Sequence, residues 1–147
     1  MENPITELEL LTLNGRSKSY LRETAKWSQF LAIIGFVGIG LMIVFALFAG
    51  TIFSAIPQAQ AMPFDLGIVM TITYLILALL YFLPVYYLYQ FSSKMKTALL
   101  TKNDETLSDA FEILKSHYKY VGVFTIIILS LYALAFVSLI FVGAFAS

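Results

Sequence analysis

The chain contains no cysteine, a single histidine and few charged residues. The absence of cysteine excludes disulfides, thiol chemistry and cysteine-ligated zinc or iron–sulfur sites. Charged residues make up 12% of the 147 residues, about half of the roughly 25% that is typical of soluble domains. No Asp, Glu, Lys or Arg occurs in residues 27–64, 66–93 or 120–147. This composition excludes an ordinary soluble domain.

Each of the three charge-free runs is long enough to cross a bilayer. A hydrocarbon core about 30 Å thick needs roughly 20 apolar residues at 1.5 Å per residue. The sequence therefore predicts an all-α polytopic membrane protein with three transmembrane helices. The predicted segments are a cytoplasmic N-terminal segment (1–26), transmembrane helix 1 (27–56), an external turn (57–65), transmembrane helix 2 (66–92), a cytoplasmic connection with an amphipathic helix (93–119) and transmembrane helix 3 (120–147).

The basic residues predict how the chain is threaded. All nine lysines and arginines lie before the first run or between the second and third runs. The external turn and the C-terminal run contain none. Because cytoplasmic loops carry the excess of Lys and Arg, we expect a cytoplasmic N-terminus and a periplasmic or external C-terminus.

The connection before the third run has an apolar stripe at helical spacing, which predicts an amphipathic cytoplasmic helix. Asn103 or Asp104 can cap its start, and acidic residues precede basic ones along it, which matches the helix dipole. Such a helix either docks on lipid or a partner, or only positions the third span. The stripe consists of Leu107, Ala110, Phe111, Leu114, Tyr118 and Val121.

Small residues recur along the first span at spacings of three and four. Close approach over small side chains drives the association of helices in lipid. The stripe predicts a packing surface, either within the bundle or between copies of the chain. The predicted helix-packing residues are Gly35, Gly38, Ala46, Ala49 and Gly50.

An aromatic stretch, "YFLPVYYLYQF", closes the second span at residues 81–91. Its last rings point in all directions around the helix, which is typical of an interfacial belt and not of a pocket. Together with one residue at the start of the first span, they are predicted to anchor the protein at the membrane interface. These predicted anchors are Trp27, Tyr86, Tyr87, Tyr89 and Phe91.

Tyr74 and Tyr81 lie on one face of the second span, near Pro84. Pro84 cannot donate a hydrogen bond to the carbonyl of Leu80, so we expect a kink and a freed carbonyl that a neighbouring hydroxyl or a water satisfies. This face either packs against another helix or lines a small site for a lipid tail, quinone or solute.

Groups that carry chemistry are scarce. No ionisable residue lies inside a predicted span, which argues against an ion-coupled transporter or a proton pump. The one histidine, His117, lies at the inner interface, and no triad spacing or phosphate-binding glycine pattern accompanies it. The sequence predicts no enzyme, no cofactor, no metal site and no nucleic-acid partner.

Two blocks carry a resemblance. "YLRETAKWSQFLAIIGFVGIG" (20–40) and "LSDAFEILKSHYKYVGVFTII" (107–127) resemble the recurring blocks of a family of small uncharacterised bacterial inner-membrane proteins, found mostly in Bacteroidota. The resemblance covers most of the chain from about Leu13 onward. It implies a location in the bacterial inner membrane and implies no catalytic residue.

Three functional hypotheses follow. The leading one is a non-enzymatic membrane protein that packs into a homo-oligomer or serves as an accessory subunit among other membrane proteins, with the lipid bilayer as its surroundings. The second is a small-solute channel or a lipid- or quinone-binding protein that uses the Tyr74, Tyr81 and Pro84 face. The third is an enzyme acting at the cytoplasmic edge around His117.

Overall fold

The computed structural model describes residues 12–57 and 63–145, and this part of the chain contains three long helices. They are α1 (Gly15–Ser54), α2 (Leu66–Thr101) and α3 (Asp104–Phe145). Each contains a stretch that is long and apolar enough to cross a membrane, which confirms the prediction of an all-helical protein with three such helices. At 1.5 Å per residue each helix is about 55–65 Å long, roughly twice the thickness of a hydrocarbon core. Residues 1–11 of the predicted N-terminal segment and 58–62 of the predicted external turn lie outside the described residues.

Every helix begins at a polar residue whose side chain accepts a hydrogen bond from a backbone N–H of the first turn. Asn14 Oδ1 accepts from the N–H of Ser17 at 2.8 Å, and Asp65 Oδ1 accepts from that of Ile68 at 3.1 Å. Asn103 Oδ1 accepts from the N–H of Thr106 at 3.0 Å. These caps satisfy donors that have no partner within the helix, so the sequence sets where each helix starts.

The turn between α2 and α3 is very short. Lys102, directly after α2, adopts the left-handed conformation with φ 53° and ψ 41°, and its N–H donates to the carbonyl of Ala98. Asn103 follows as the cap of α3, and its own N–H also donates to the carbonyl of Ala98, at 3.3 Å. A single left-handed residue therefore reverses the chain, so α2 and α3 run antiparallel from this turn.

The predicted amphipathic cytoplasmic helix before the third span is not present as an element of its own. Residues 104–119 are the opening turns of α3, which continues without interruption to Phe145. Neither proline nor a turn signal interrupts this stretch, so a single helix satisfies more backbone hydrogen bonds than two would. The apolar stripe also differs from the prediction, because Ala110 is buried and Leu107 and Leu114 pack beside it, while Phe111, Tyr118 and Val121 are exposed.

α2 is the central helix of the bundle. It packs along α1 and against α3. The three helices meet at their charged ends, where Ala25 of α1, Phe91 and Met95 of α2, and Ala110 of α3 form a buried cluster. Farther from this end, the buried residues belong to the seam between α1 and α2, and most of the residues of α3 beyond Phe124 are exposed. The described helices thus form a closed three-helix end and an open apolar end.

Candidate functional site

The seam between α1 and α2 contains most of the predicted helix-packing residues. Ala46 and Ala49 are fully buried. A Cβ atom on Gly35 would lie 2.7 Å from a methyl carbon of Val85. The Cα of Gly50 would lie 2.9 Å from a Cβ on Gly67 of the facing helix. The two backbones approach this closely because these positions carry almost no side chain.

Gly38 differs from the other predicted packing residues. A Cβ added there would meet nothing within 4 Å, so the site has room for a larger side chain. The structure therefore brings Gly35, Ala46, Ala49 and Gly50 against α2 and leaves Gly38 outside this close contact. Within one chain, most of the small-residue stripe is already used.

Two further contacts hold the outer part of this seam. The hydroxyl of Thr71 donates to the carbonyl of Ala46 at 3.0 Å, which links α2 to α1 by a polar bond. The ring of Tyr74 packs edge-on against Phe45, with 4.9 Å between the ring centroids. Tyr74 thus contributes to helix packing against α1.

Around Pro84, two polar side chains of α3 form hydrogen bonds with backbone carbonyls of α2. Pro84 lacks an N–H, so the carbonyl of Leu80 loses its partner within the helix. The hydroxyl of Tyr120 donates to this carbonyl at 3.0 Å. This confirms the expectation that a neighbouring hydroxyl or a water satisfies the freed group.

A second donor from α3 reaches the same segment. Nδ1 of His117 lies 2.9 Å from the carbonyl of Pro84. Because a carbonyl only accepts hydrogen bonds, this contact requires that Nδ1 carries a proton. One turn of α3 therefore supplies two donors to two carbonyls of α2.

Tyr81 lies on the same side as these donors. Its ring packs edge-on against Phe124, with 6.2 Å between centroids, and 48% of the residue is exposed. Tyr81 and Pro84 therefore contact α3, whereas Tyr74 contacts α1. The structure does not gather the three residues that were predicted as a ligand lining around one space.

The predicted interfacial anchors fall into two groups. Trp27, Tyr86 and Tyr89 are exposed and Tyr87 is half-buried, positions compatible with contact to a membrane interface. Phe91 is 1% exposed and lies in the buried cluster with Ala25 and Ala110. The prediction of Phe91 as an anchor was wrong, because the three helices converge around its ring.

Polar side chains close the charged end of the bundle. The buried hydroxyl of Ser92 donates to the carbonyl of Ala25 at 2.7 Å, and Nζ of Lys96 donates to the amide oxygen of Gln29. Nζ of Lys94 pairs with a carboxylate oxygen of Asp109 at 2.7 Å. Both side chains of this ion pair are nearly half exposed, so its contribution to stability is small.

The arrangement offers little for acid–base or metal chemistry. In the described ranges, no group of three or more His, Asp or Glu side chains is placed to hold a metal ion. Buried side-chain nitrogen and oxygen atoms of these residues all have hydrogen-bond partners. The hydroxyls of Thr71, Ser92 and Tyr120 instead link one helix to another.

Comparisons with protein-family models, curated proteins and solved structures find no match to this chain.

The sequence did not reveal which residues of α3 form hydrogen bonds with the carbonyls of Leu80 and Pro84. The signal was present, since a proline within a predicted span frees a carbonyl, and Tyr120 and His117 are hydrogen-bond donors three residues apart on the next helix. Placing them requires the rotation and height of α3 relative to α2, which follow from the short turn at Lys102 and from the burial of Ala110.

Proposed function

We propose that this chain is a non-enzymatic integral membrane protein that works as a subunit of a membrane assembly, either a homo-oligomer or a complex with other membrane proteins. The observation that carries the proposal is the exposure of α3 beyond Phe124. In its most apolar part no residue is buried inside the described protein. Leu129 to Gly143 are exposed on every side of the helix.

Exposure to lipid alone would account for leucine and isoleucine at these positions, but it does not account for Tyr132. This residue is 70% exposed, and its hydroxyl has no hydrogen-bond partner among the described residues. It lies about 18 Å along the helix from Tyr120, which places it deep in the predicted third span. Thr125, Ser130 and Ser138 instead donate to carbonyls of their own helix.

A phenol in the apolar region is stabilised by a hydrogen-bond partner, and tyrosine is enriched at interfaces where one end of the ring is apolar and the other polar. A helix of another subunit, packed on the Tyr132 face of α3, supplies such a partner. α1 and α2 already cover each other, so α3 is the helix that an additional subunit reaches first.

We further propose that the protein lies in a bacterial inner membrane, with its N-terminus and the α2–α3 turn in the cytoplasm and its C-terminus on the periplasmic or external side. The support is the placement of charge. All nine basic residues lie near the ends of the helices that meet at the buried cluster around Phe91, and the positive-inside rule assigns that end to the cytoplasm.

The test is native mass spectrometry of the protein, expressed at its natural level in its own host and extracted gently. We expect a species at an integer multiple of 16.5 kDa or a stoichiometric complex with other membrane subunits. Tyr132→Phe is expected to lower the fraction in the complex several-fold, because one interhelical hydrogen bond in a membrane contributes about 0.6–1.7 kcal/mol.

Leu134→Ala is the matched control, because Leu134 lies on the opposite side of α3 and is similarly exposed. It should leave the complex intact. A wild-type protein that is monomeric and free of partners after gentle extraction contradicts the proposal. An equal loss of complex in both variants contradicts the assignment of the Tyr132 face.

A further inference from the structure

A shallow, open depression of about 600 Å³ lies along α1 just before its charge-free stretch. We call it the Arg22–Lys26 cleft. It is separate from the α1–α2 seam and from the outer half of α3 on which the proposed function depends. The described residues that line it, all on α1, are Ser19, Arg22, Glu23, Lys26, Trp27 and Phe30.

Two cations in the cleft lack a carboxylate partner among residues 12–57 and 63–145. Arg22 and Lys26 lie one helical turn apart on the same face of α1. Among the described residues, neither has an Asp or Glu oxygen within 4 Å. By contrast, Lys94 in the last third of α2 pairs with the carboxylate of Asp109, and Lys96 donates to the amide oxygen of Gln29. Within the described part of the chain, the cleft therefore holds two positive charges without an ion-pair partner and one negative charge, that of Glu23.

An aromatic surface adjoins these charges on the apolar side. Trp27 is 59% exposed, and its ring meets that of Phe30 edge-on at 5.8 Å between centroids. Lys26 is the last charged residue before the run that extends to Phe64. Going along α1, the surface changes within a single turn from charged to aromatic and then to aliphatic. Phospholipids have the same order of chemistry, from phosphate to glycerol to acyl chain.

We propose that the Arg22–Lys26 cleft binds the headgroup of an anionic phospholipid in the leaflet at the basic end of the bundle. The guanidinium of Arg22 is suited to hold the phosphate through two parallel hydrogen bonds, and the ammonium of Lys26 adds a second charge. The glycerol region and the start of an acyl chain lie on Trp27 and Phe30. A zwitterionic lipid makes the same apolar contacts but gains less from the two cations.

Trp27 makes a direct test feasible, because it is the only tryptophan of the chain. The full-length protein is reconstituted in phosphatidylcholine bilayers that contain a small, fixed fraction of lipid with brominated acyl chains. Brominated phosphatidylglycerol is compared with brominated phosphatidylcholine as a quencher of Trp27 fluorescence. We expect the anionic quencher to associate about tenfold more strongly at low ionic strength, given the known attraction of each basic residue to anionic lipid.

Arg22→Gln combined with Lys26→Gln should abolish this preference. Arg16→Gln combined with Lys18→Gln is the matched control, since it removes the same charge from the same helix outside the cleft, and it should retain the preference. Glu23→Gln should increase it. Equal quenching of the wild-type protein by both lipids overturns the proposal. So does an equal loss of preference in the two double variants, which would indicate general attraction to the basic end of the molecule.

Discussion

Pro84 removes one backbone hydrogen bond from α2, and a side chain of α3 replaces it. The Tyr120 hydroxyl donates to the carbonyl of Leu80, which the proline leaves free. We predict that Tyr120→Phe lowers the free energy of unfolding in detergent micelles by about 1 kcal/mol, because the carbonyl then stays unpaired in an apolar setting. Reversible denaturation followed by circular dichroism measures this loss.

Two further substitutions, Tyr118→Phe and Pro84→Ala, provide the control and a result that could contradict this prediction. Tyr118→Phe removes a phenol that is 66% exposed and has no hydrogen-bond partner in the described structure, so it should leave stability unchanged. Pro84→Ala restores the donor to Leu80, so Tyr120→Phe should cost much less in that background. If the two substitutions are additive, the bond from Tyr120 does not compensate for Pro84.

At the scale of single residues, the freed carbonyl of Leu80 could be predicted from the sequence, but its donor, the hydroxyl of Tyr120, could not. A proline inside a helix has a local consequence, whereas the donor depends on where a distant part of the chain lies. Phe91 was misassigned for the same reason. In the sequence it ends a run of interfacial rings, and only the positions of Ala25 and Ala110 show that its side chain points into the bundle.

At the scale of the helices, the α1–α2 seam depends on the absence of side chains at a few positions. We predict that Gly35→Ala destabilises the bundle by about 1–3 kcal/mol, because the new methyl group meets Val85 at 2.7–2.9 Å and forces the helices apart. The same unfolding measurement applies. Gly38→Ala is the matched control on the same helix, and its open surroundings should keep the change below about 1 kcal/mol.

A substitution at Val85 tests whether Gly35→Ala acts through the contact between α1 and α2. In a Val85→Ala background, the methyl carbons that clash with a residue at position 35 are gone. Gly35→Ala should therefore lose most of its effect there. An undiminished effect would mean that the substitution acts on α1 itself and not on the contact between α1 and α2.

The three helices were predictable because long charge-free runs have few alternatives in a membrane. Their ends were harder to locate. α2 continues to Thr101 and α3 begins at Asp104, so the polar stretch between the predicted spans is almost entirely helical. Hydropathy marks the part of a helix that lies in lipid. It does not register turns that extend into water, which here are held by caps and by the cluster around Met95.

At the scale of the whole molecule, the two ends of the described helices differ in how the helices pack. The basic end is closed by three helices, an ion pair, the buried hydroxyl of Ser92 and the contact between Lys96 and the amide of Gln29. The opposite end consists of a two-helix seam beside a single exposed helix. This difference separates two roles along one axis, since the closed end fixes the helices relative to one another and the open end leaves α3 available to lipid or to another subunit.

This architecture makes a definite prediction about sidedness, and the cysteine-free chain allows it to be tested without altering any native cysteine. Leu13→Cys before α1 and Thr101→Cys at the end of α2 should resist a membrane-impermeant maleimide in intact spheroplasts. Phe64→Cys before α2 is exposed in the structure and should react readily. All three should react alike once the membrane is permeabilised, which controls for local accessibility.

Labelling of Leu13→Cys and Thr101→Cys from opposite sides would contradict the three-span threading. The reverse pattern, with only Phe64→Cys protected, would retain that threading but invert the protein in the membrane. In that case the Arg22–Lys26 cleft would face the outer leaflet.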